Sequence, residues 1–225
     1  MRIGVLRETQ AGESRVALVP ESVRKLAALK VSVSVETGAG AQAGARDADY
    51  EAAGAEVTSD RLKLLSSADV LAVVNRPATE DASALKEGAV VLGFLRPLDD
   101  PAALSGIVTR KLTAFAMELI PRITRAQAMD ALSSMATVVG YKAVVMAADQ
   151  VPRMFPMLMT AAGTVPPARV LVLGAGVAGL QAIATARRLG AVVEAYDVRK
   201  AAGEQVRSLG AQFLEVDLGG IQTED

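Results

Sequence analysis

The sequence predicts an α/β protein made of two parallel-sheet domains joined by a long helix, with the second domain incomplete. Three observations carry that expectation. Along residues 1–120, short apolar strands alternate with helical segments, the order that produces a parallel sheet with right-handed crossovers. Residues 125–150 keep a helical pattern longer than a turn between strands requires, which makes them a bridge. Residues 170–197 run strand, glycine turn, helix, strand and terminal carboxylate, the order of a Rossmann-like unit. The expected boundaries are 1–135 for the N-terminal α/β domain and 136–225 for the incomplete Rossmann domain, with 125–150 as the bridging helix.

Each element has a local reason. Ile3–Leu6 is a short apolar strand. Pro20 opens a helix to Lys30, because proline suits the first helical turn and Val23, Leu26 and Ala27 recur at helical spacing. Val31–Glu36 alternates as a half-buried strand, and Thr37–Gly44 is a glycine–alanine loop. Asp47 is placed to cap a short helix through Ala53, ahead of a brief strand at Ala55–Thr58. Helices near Arg61–Ser66 and Asp81–Lys86 precede strands Val70–Val74 and Ala89–Leu95. Asp99 or Asp100 caps a helix to Arg110, and Leu112–Met117 is the last strand of this half. After the bridge, Met154–Ala162 reads as a second helix.

The glycine turn is the most informative stretch. Residues 170–179 read V-L-V-L-G-A-G-V-A-G, a buried strand opening into Gly174, Gly176 and Gly179. Gly174 permits a sharp turn, Gly176 lets backbone approach a pyrophosphate, and Gly179 lets helix and strand pack closely. Free N–H groups near Val177 and Ala178 lie at a helix N-terminus, which favours an anion. Gly190 ends that helix, and strand Ala191–Tyr196 delivers Asp197, a carboxylate able to accept from an adenosine ribose. An acid there disfavours a 2′-phosphate, so NAD(H) is expected over NADP(H), a preference that Arg199 weakens. The alternative is a glycine-rich turn that binds nothing. Beyond Asp197 stand one helix (Ala201–Leu209), one strand (Gln212–Val216) and the turn Asp217–Gly220. The sheet therefore reads as unfinished and the chain as a piece of a longer protein.

Composition narrows the chemistry. The 225 residues carry a net charge of −1 with no block of like charges, which gives no signature of a nucleic-acid or anionic-lipid surface. There is no cysteine and no histidine, so disulfides, thiolate metal sites and the commonest general acid–base are excluded, and no metal site is expected. No signal peptide is visible, and the uncharged stretch noted as a membrane candidate, Met154–Ala168, contains three prolines. A soluble, cytoplasmic chain is expected. Its 51% apolar content is high, which suggests a large subunit interface.

Residues 121–198 resemble a known family closely. The segments P-R-I-T-R-A-Q-A-M-D-A-L-S-S-M, F-P-M-L-M-T-A-A-G-T-V-P-P and A-Y-D-V-R are similar to the NAD(H)-binding component of the proton-translocating nicotinamide nucleotide transhydrogenases. The N-terminal G-V-L-R-E-T-Q-A-G-E-S-R-V-A-L-V-P is shared with their relatives, the alanine dehydrogenases. The resemblance implies that Arg122, Gln127, Asp130 and Ser133 hold the nicotinamide end of NAD(H), with Gln127, Asp130 and Arg122 acting nearest the chemistry. It implies that Gly174, Gly176, Val177 and Gly179 line the pyrophosphate, and that Asp197, Val198 and Arg199 hold the adenosine ribose. It also implies hydride transfer to NADP⁺ on a partner domain, proton translocation by membrane subunits, a homodimer, and a place beside the inner membrane through those partners. The residues alone leave a rival for Gln127, since Thr124-Arg125-Ala126-Gln127 is a capping-box pattern. The catalytic histidine of alanine dehydrogenases has no counterpart in G-F-L-R-P-L-D-D, and their substrate-anchoring lysine falls at or near Asn75. Arg15, a substrate-binding residue there, reads better as half of an ion pair. An amino-acid dehydrogenase and a non-enzymatic NAD-binding subunit are the alternatives.

Overall fold

Parallel strands organise the protein, described over residues 1–216 by a computed structural model. The chain divides into two compact units, Met1–Asp130 and a second beginning at Ala131. The first unit contains β1 (Arg2–Val5), β2 (Ser32–Glu36), β3 (Glu56–Thr58), β4 (Val70–Asn75), β5 (Val90–Phe94) and β6 (Thr113–Ala116). All pair in parallel in the order β3-β2-β1-β4-β5-β6, so the winding reverses between β1 and β4. Helices α1 (Pro20–Ala28), α2 (Asp47–Ala52), α3 (Arg61–Ser67), α4 (Thr79–Ala84) and α5 (Ser105–Thr109) lie between them in sequence. Asp60 caps α3 by accepting from Lys63 N, and Asp100 caps a 3-10 turn at Pro101–Leu104 by accepting from Ala103 N. Asp47 does not cap α2; it sits in the first turn and accepts from Gly38 N at 2.9 Å, which ties the glycine loop down.

Two apolar clusters hold this unit together. One gathers Val5, Val23, Val33, Val35 and Tyr50, and the Tyr50 hydroxyl donates to Leu18 O at 2.9 Å so that its buried polar tip is satisfied. The other gathers Leu64, Leu65, Leu71, Val91 and Leu95. At the carboxyl ends of the strands, backbone donors go to the protein's own carboxylates. Glu36 accepts from Arg7 N at 2.8 Å, beyond β1. Glu8 accepts from Val74 N at 2.6 Å and Asn75 N at 3.3 Å, where the β4–β5 register shifts. Glu118 accepts from Leu95 N and Arg96 N, beyond β5.

The second unit contains α6 (Ala131–Gln150), β7 (Leu158–Thr160), β8 (Gly163–Val165), β9 (Arg169–Leu173), α7 (Val177–Arg188), β10 (Val192–Tyr196), α8 (Ala202–Ser208) and β11 (Gln212–Phe213). Among the described residues its sheet has three parallel strands in the order β11-β10-β9. Ile183, Ala186, Val193 and Val206 form its core, joined by Phe155 and by Val144 of α6.

Several expectations need correction here. Residues 125–150 are not one helix: Thr124–Met129 is a 3-10 helix, Asp130 leaves helical geometry at ψ 82°, and α6 starts afresh at Ala131. The two units meet in sequence at that break, ahead of the expected 135/136 boundary. The Met154–Ala162 helix is absent; β7 and β8 form an antiparallel hairpin, with Gly163 at φ +133° starting the return strand. The strand read as Gln212–Val216 pairs only over Gln212–Phe213, and the Asp217–Gly220 turn lies outside the described residues. Finally, the helix long and apolar enough by length and composition to cross a membrane is α6, at a mean hydropathy of 1.4, and not the Met154–Ala168 stretch.

Candidate functional site

The chemistry gathers at the end of β9. Gly174 follows the strand at φ +92°, a left-handed conformation that a side chain would strain, and its N–H donates to Tyr196 O at 2.8 Å. Gly176 then forms the N-cap of α7 in an extended conformation, without any side-chain cap. A Cβ built on Gly176 would meet nothing within 4 Å, so this side of the turn is open to a ligand. Gly179 is the opposite case: a Cβ there would lie 1.8 Å from Gly174 O, so only glycine lets the first turn of α7 rest on the loop. The first helical bond runs from Leu180 N to Gly176 O at 2.8 Å, which leaves the N–H groups of Val177, Ala178 and Gly179 ahead of the ladder. The helix dipole is positive at this end, and Arg187 and Arg188 occupy the last turn, away from it.

Asp197 closes the site from β10. Its Oδ2 accepts from Ala175 N at 2.7 Å, and its Oδ1 accepts from Arg199 N at 2.8 Å. The Arg199 guanidinium then grips both oxygens, with Nε to Oδ1 at 3.0 Å and Nη2 to Oδ2 at 3.1 Å. These donors hold the buried carboxyl down from 3.8 to about 2; the Arg199 side-chain bonds contribute most, and burial opposes them. Asp197 thus both tethers the glycine turn and carries the charge expected to select the ribose. The adjoining Val198 is half exposed. Gly174, Gly176, Val177, Gly179, Asp197, Val198 and Arg199 are therefore brought together in one place.

The nicotinamide-end residues are split between the units. Arg122, Gln127 and Asp130 belong to the first unit, and Ser133 is on α6 of the second. Within the first unit Ala126 is the buried anchor of the 3-10 segment, while Arg122 and Gln127 are exposed. The capping-box alternative fails here: Thr124 is inside the 3-10 helix, its N-cap is Ile123, and no side chain caps it.

In the first unit the switch-point crevice measures about 630 Å³ and is lined by Arg7, Glu8, Gln10, Glu13 and Arg15 among others. Arg15 is committed to Glu13, with Nε to Oε1 at 2.8 Å and Nη2 to Oε2 at 2.6 Å, and its guanidinium lies 5.6 Å from the Phe94 ring centre. Asn75 Nδ2 donates to both Glu13 Oε2 at 2.9 Å and Glu8 Oε2 at 3.2 Å. The Arg15 bonds, joined by Asn75, hold the Glu13 carboxyl at about 2. Arg15 is thus an ion-pair residue in this structure. Sequence reasoning missed Glu8, the Ala175–Asp197 tether and the close approach of Gly140 to Ala178 O; none leaves a local signal.

Residues 4–139 match the family described as alanine dehydrogenase/PNT, N-terminal domain, and residues 143–224 match alanine dehydrogenase/PNT, C-terminal domain. The chain belongs to the alanine dehydrogenase/PNT family. Within that family it is 52% identical to the first of the separately encoded segments of NAD(P) transhydrogenase subunit alpha of Rhodospirillum rubrum, over 99% of this chain and 59% of that one. It is 31% identical to the alanine dehydrogenase of Mycobacterium tuberculosis, over 95% of this chain and 57% of that one. Among solved structures it superposes on a transhydrogenase from Sinorhizobium meliloti with a TM-score of 0.92 at 52% identity, covering 96% of this chain and 64% of that one. This family member therefore spans about three fifths of the length of the curated relatives it matches.

Proposed function

We propose that this chain is the NAD(H)-binding portion of a NAD(P) transhydrogenase, presenting NADH for direct hydride transfer to NADP⁺ on a partner domain. One observation carries the reading. An uncapped α7 N-terminus faces an open Gly176, with a carboxylate at the end of the neighbouring strand, in a chain 52% identical to a transhydrogenase alpha subunit. These residues fit a dinucleotide: the backbone N–H groups near Val177 suit a pyrophosphate, and Asp197 suits a ribose diol.

When bound, the reduced nicotinamide supplies the chemistry, releasing a hydride with both bonding electrons to the oxidised ring. Gly174, Gly176, Val177 and Gly179 hold the pyrophosphate, while Asp197, Val198 and Arg199 hold the adenosine ribose. Arg122, Gln127, Asp130 and Ser133 orient the nicotinamide end. No proton is exchanged at the reacting carbons, so a chain without histidine has what this step asks of it: position and electrostatics. Proton coupling belongs to membrane partners, beside which this chain sits on the cytoplasmic side, as a homodimer.

The test is a reconstituted exchange assay. With NADP(H)-binding and membrane subunits added, NADH should reduce NADP⁺, and pyruvate with ammonia should oxidise no NADH. Oxidation of NADH by pyruvate and ammonia in the absence of partners would overturn the proposal in favour of an amino-acid dehydrogenase. Sedimentation of a monomer at high micromolar concentration would remove the homodimer.

A further inference from the structure

The first turn of α7 is held between two backbones. Below it, Gly179 rests on the glycine loop, where a Cβ would come within 1.8 Å of Gly174 O. On another side it meets α6. A Cβ at Gly140 would lie 2.1 Å from Ala178 O, 3.0 Å from Ala178 C and 3.1 Å from Ala182 N. Such a contact demands a helix–helix approach closer than side chains permit, and only a glycine at the crossing supplies it. Gly140 is buried, with Val144 one turn further along α6 and in the core formed with Ile183 and Ala186. Gly140 lies outside the glycine fingerprint, on a different element from Asp197 and the loop.

From this we infer that Gly140 is a positioning residue for the nucleotide site: it sets where the Val177–Gly179 amides stand above the Gly174–Gly176 loop. That role rests on the dinucleotide reading proposed above. A methyl at residue 140 must push α6 and the Ala178 carbonyl apart by about 1 Å to reach ordinary van der Waals contact. The turn cannot yield towards the loop, because Gly179 already lies against Gly174 O. It must therefore tilt or shift, and the donors aimed at an anion shift with it. Deeper residues of α7 such as Ile183 and Ala186 stay anchored in the core, so the displacement concentrates at the N-terminal turn.

The experiment compares the unsubstituted chain with Gly140→Ala and Val144→Ala, using ADP-ribose and adenosine as probes in calorimetric titrations alongside thermal melts. Gly140→Ala should weaken ADP-ribose about tenfold and leave adenosine within twofold, because only ADP-ribose places a pyrophosphate on the turn. Val144→Ala removes packing without crowding the turn, so it should lower the melting temperature and leave the ratio of the two affinities unchanged. Equal losses of both probes in Gly140→Ala, or no loss, would overturn the inference. Should Gly140→Ala not fold, hydrogen exchange on the unsubstituted chain decides. ADP-ribose, and not adenosine, should slow exchange both at residues 177–181 and at residues 140–144; protection of 177–181 alone would overturn the inference. If the unsubstituted chain binds ADP-ribose no better than adenosine, the dinucleotide reading fails and takes the role of Gly140 with it.

Discussion

Replacing Asp197 by alanine tests two separable roles of one carboxylate. The first is structural. Ala175 is 1% exposed, so without Asp197 its N–H has neither a partner nor ready access to water. Leaving one buried donor unsatisfied costs about 1–3 kcal/mol. The Arg199 N–H adds little, because that residue is exposed and water replaces the lost oxygen. A loss of about 1–3 kcal/mol is therefore expected in urea denaturation at pH 7, read by circular dichroism. The second role is selective. A carboxylate and a phosphate charge about 5 Å apart, at an effective dielectric near 40, repel by roughly 1.7 kcal/mol. Removing that repulsion also releases Arg199 to meet a 2′-phosphate. The preference for NADH over NADPH should narrow by about tenfold, measured by titrating both against the same protein. A stability loss below about 0.5 kcal/mol would refute the tether. An unchanged affinity ratio, or an unsubstituted protein that binds NADPH as tightly as NADH, would refute the selective role.

Other outcomes follow from the same geometry. Gly179→Ala places a methyl against Gly174 O and should destabilise the second unit by about 1–3 kcal/mol in the same urea assay, as forced overpacking does. Gln127→Asn, in the exposed 3-10 segment, should leave the melting temperature and NADH affinity nearly unchanged. In a reconstituted transhydrogenase it should still slow single-turnover hydride transfer by about tenfold to a hundredfold; a lowered melting temperature with an unchanged rate would make Gln127 structural. Asp197 titrates near 2 in the folded protein and at 3.8 ordinarily, so its stabilisation is complete above about 4 and is lost as pH falls towards 2. The stability gap between the unsubstituted chain and Asp197→Asn should accordingly shrink over that window; a gap that is constant from pH 7 to 2.5 would show that the charge contributes nothing.

Local pattern was enough for the parallel strands and for the glycine turn, because each strand is a short apolar run and each turn glycine answers a backbone requirement. It failed where the deciding contact is distant or the propensity neutral. Met157, Leu158, Met159 and the Ala161–Ala162 pair are good helix formers, yet the segment forms a hairpin because Leu158 pairs with Val165 and Thr160 with Gly163. Proline at 156 does not reveal that its Cα packs against Gly190, where a Cβ would come within 2.8 Å. The 125–150 pattern hid the break at Asp130, since a 3-10 turn and an α-helix draw on the same residues. At the site, spacing located Asp197, but only the structure pairs it with Ala175 and Arg199. Gly140 looked like an ordinary helix glycine, because its meaning lies in the carbonyl opposite it.

The carboxylates at the strand ends of the first unit have a consequence for how the two halves divide their labour. A parallel sheet that reverses its winding directs spare backbone donors into the crevice at its carboxyl edge, where an incoming anion would be welcomed. Here the seats are taken from within: Glu36, Glu8 and Glu118 receive the amides beyond β1, at the end of β4 and beyond β5. A phosphate arriving there must evict a resident acid and leave it stranded beside another negative charge. At the corresponding edge of the second unit, the resident acid takes Ala175 N and leaves the amides from Val177 onward to any visitor. Two sheets of kindred winding thus behave as opposites, one self-sealed and one receptive, and the difference lies in a handful of side-chain carboxyls rather than in the backbone plan.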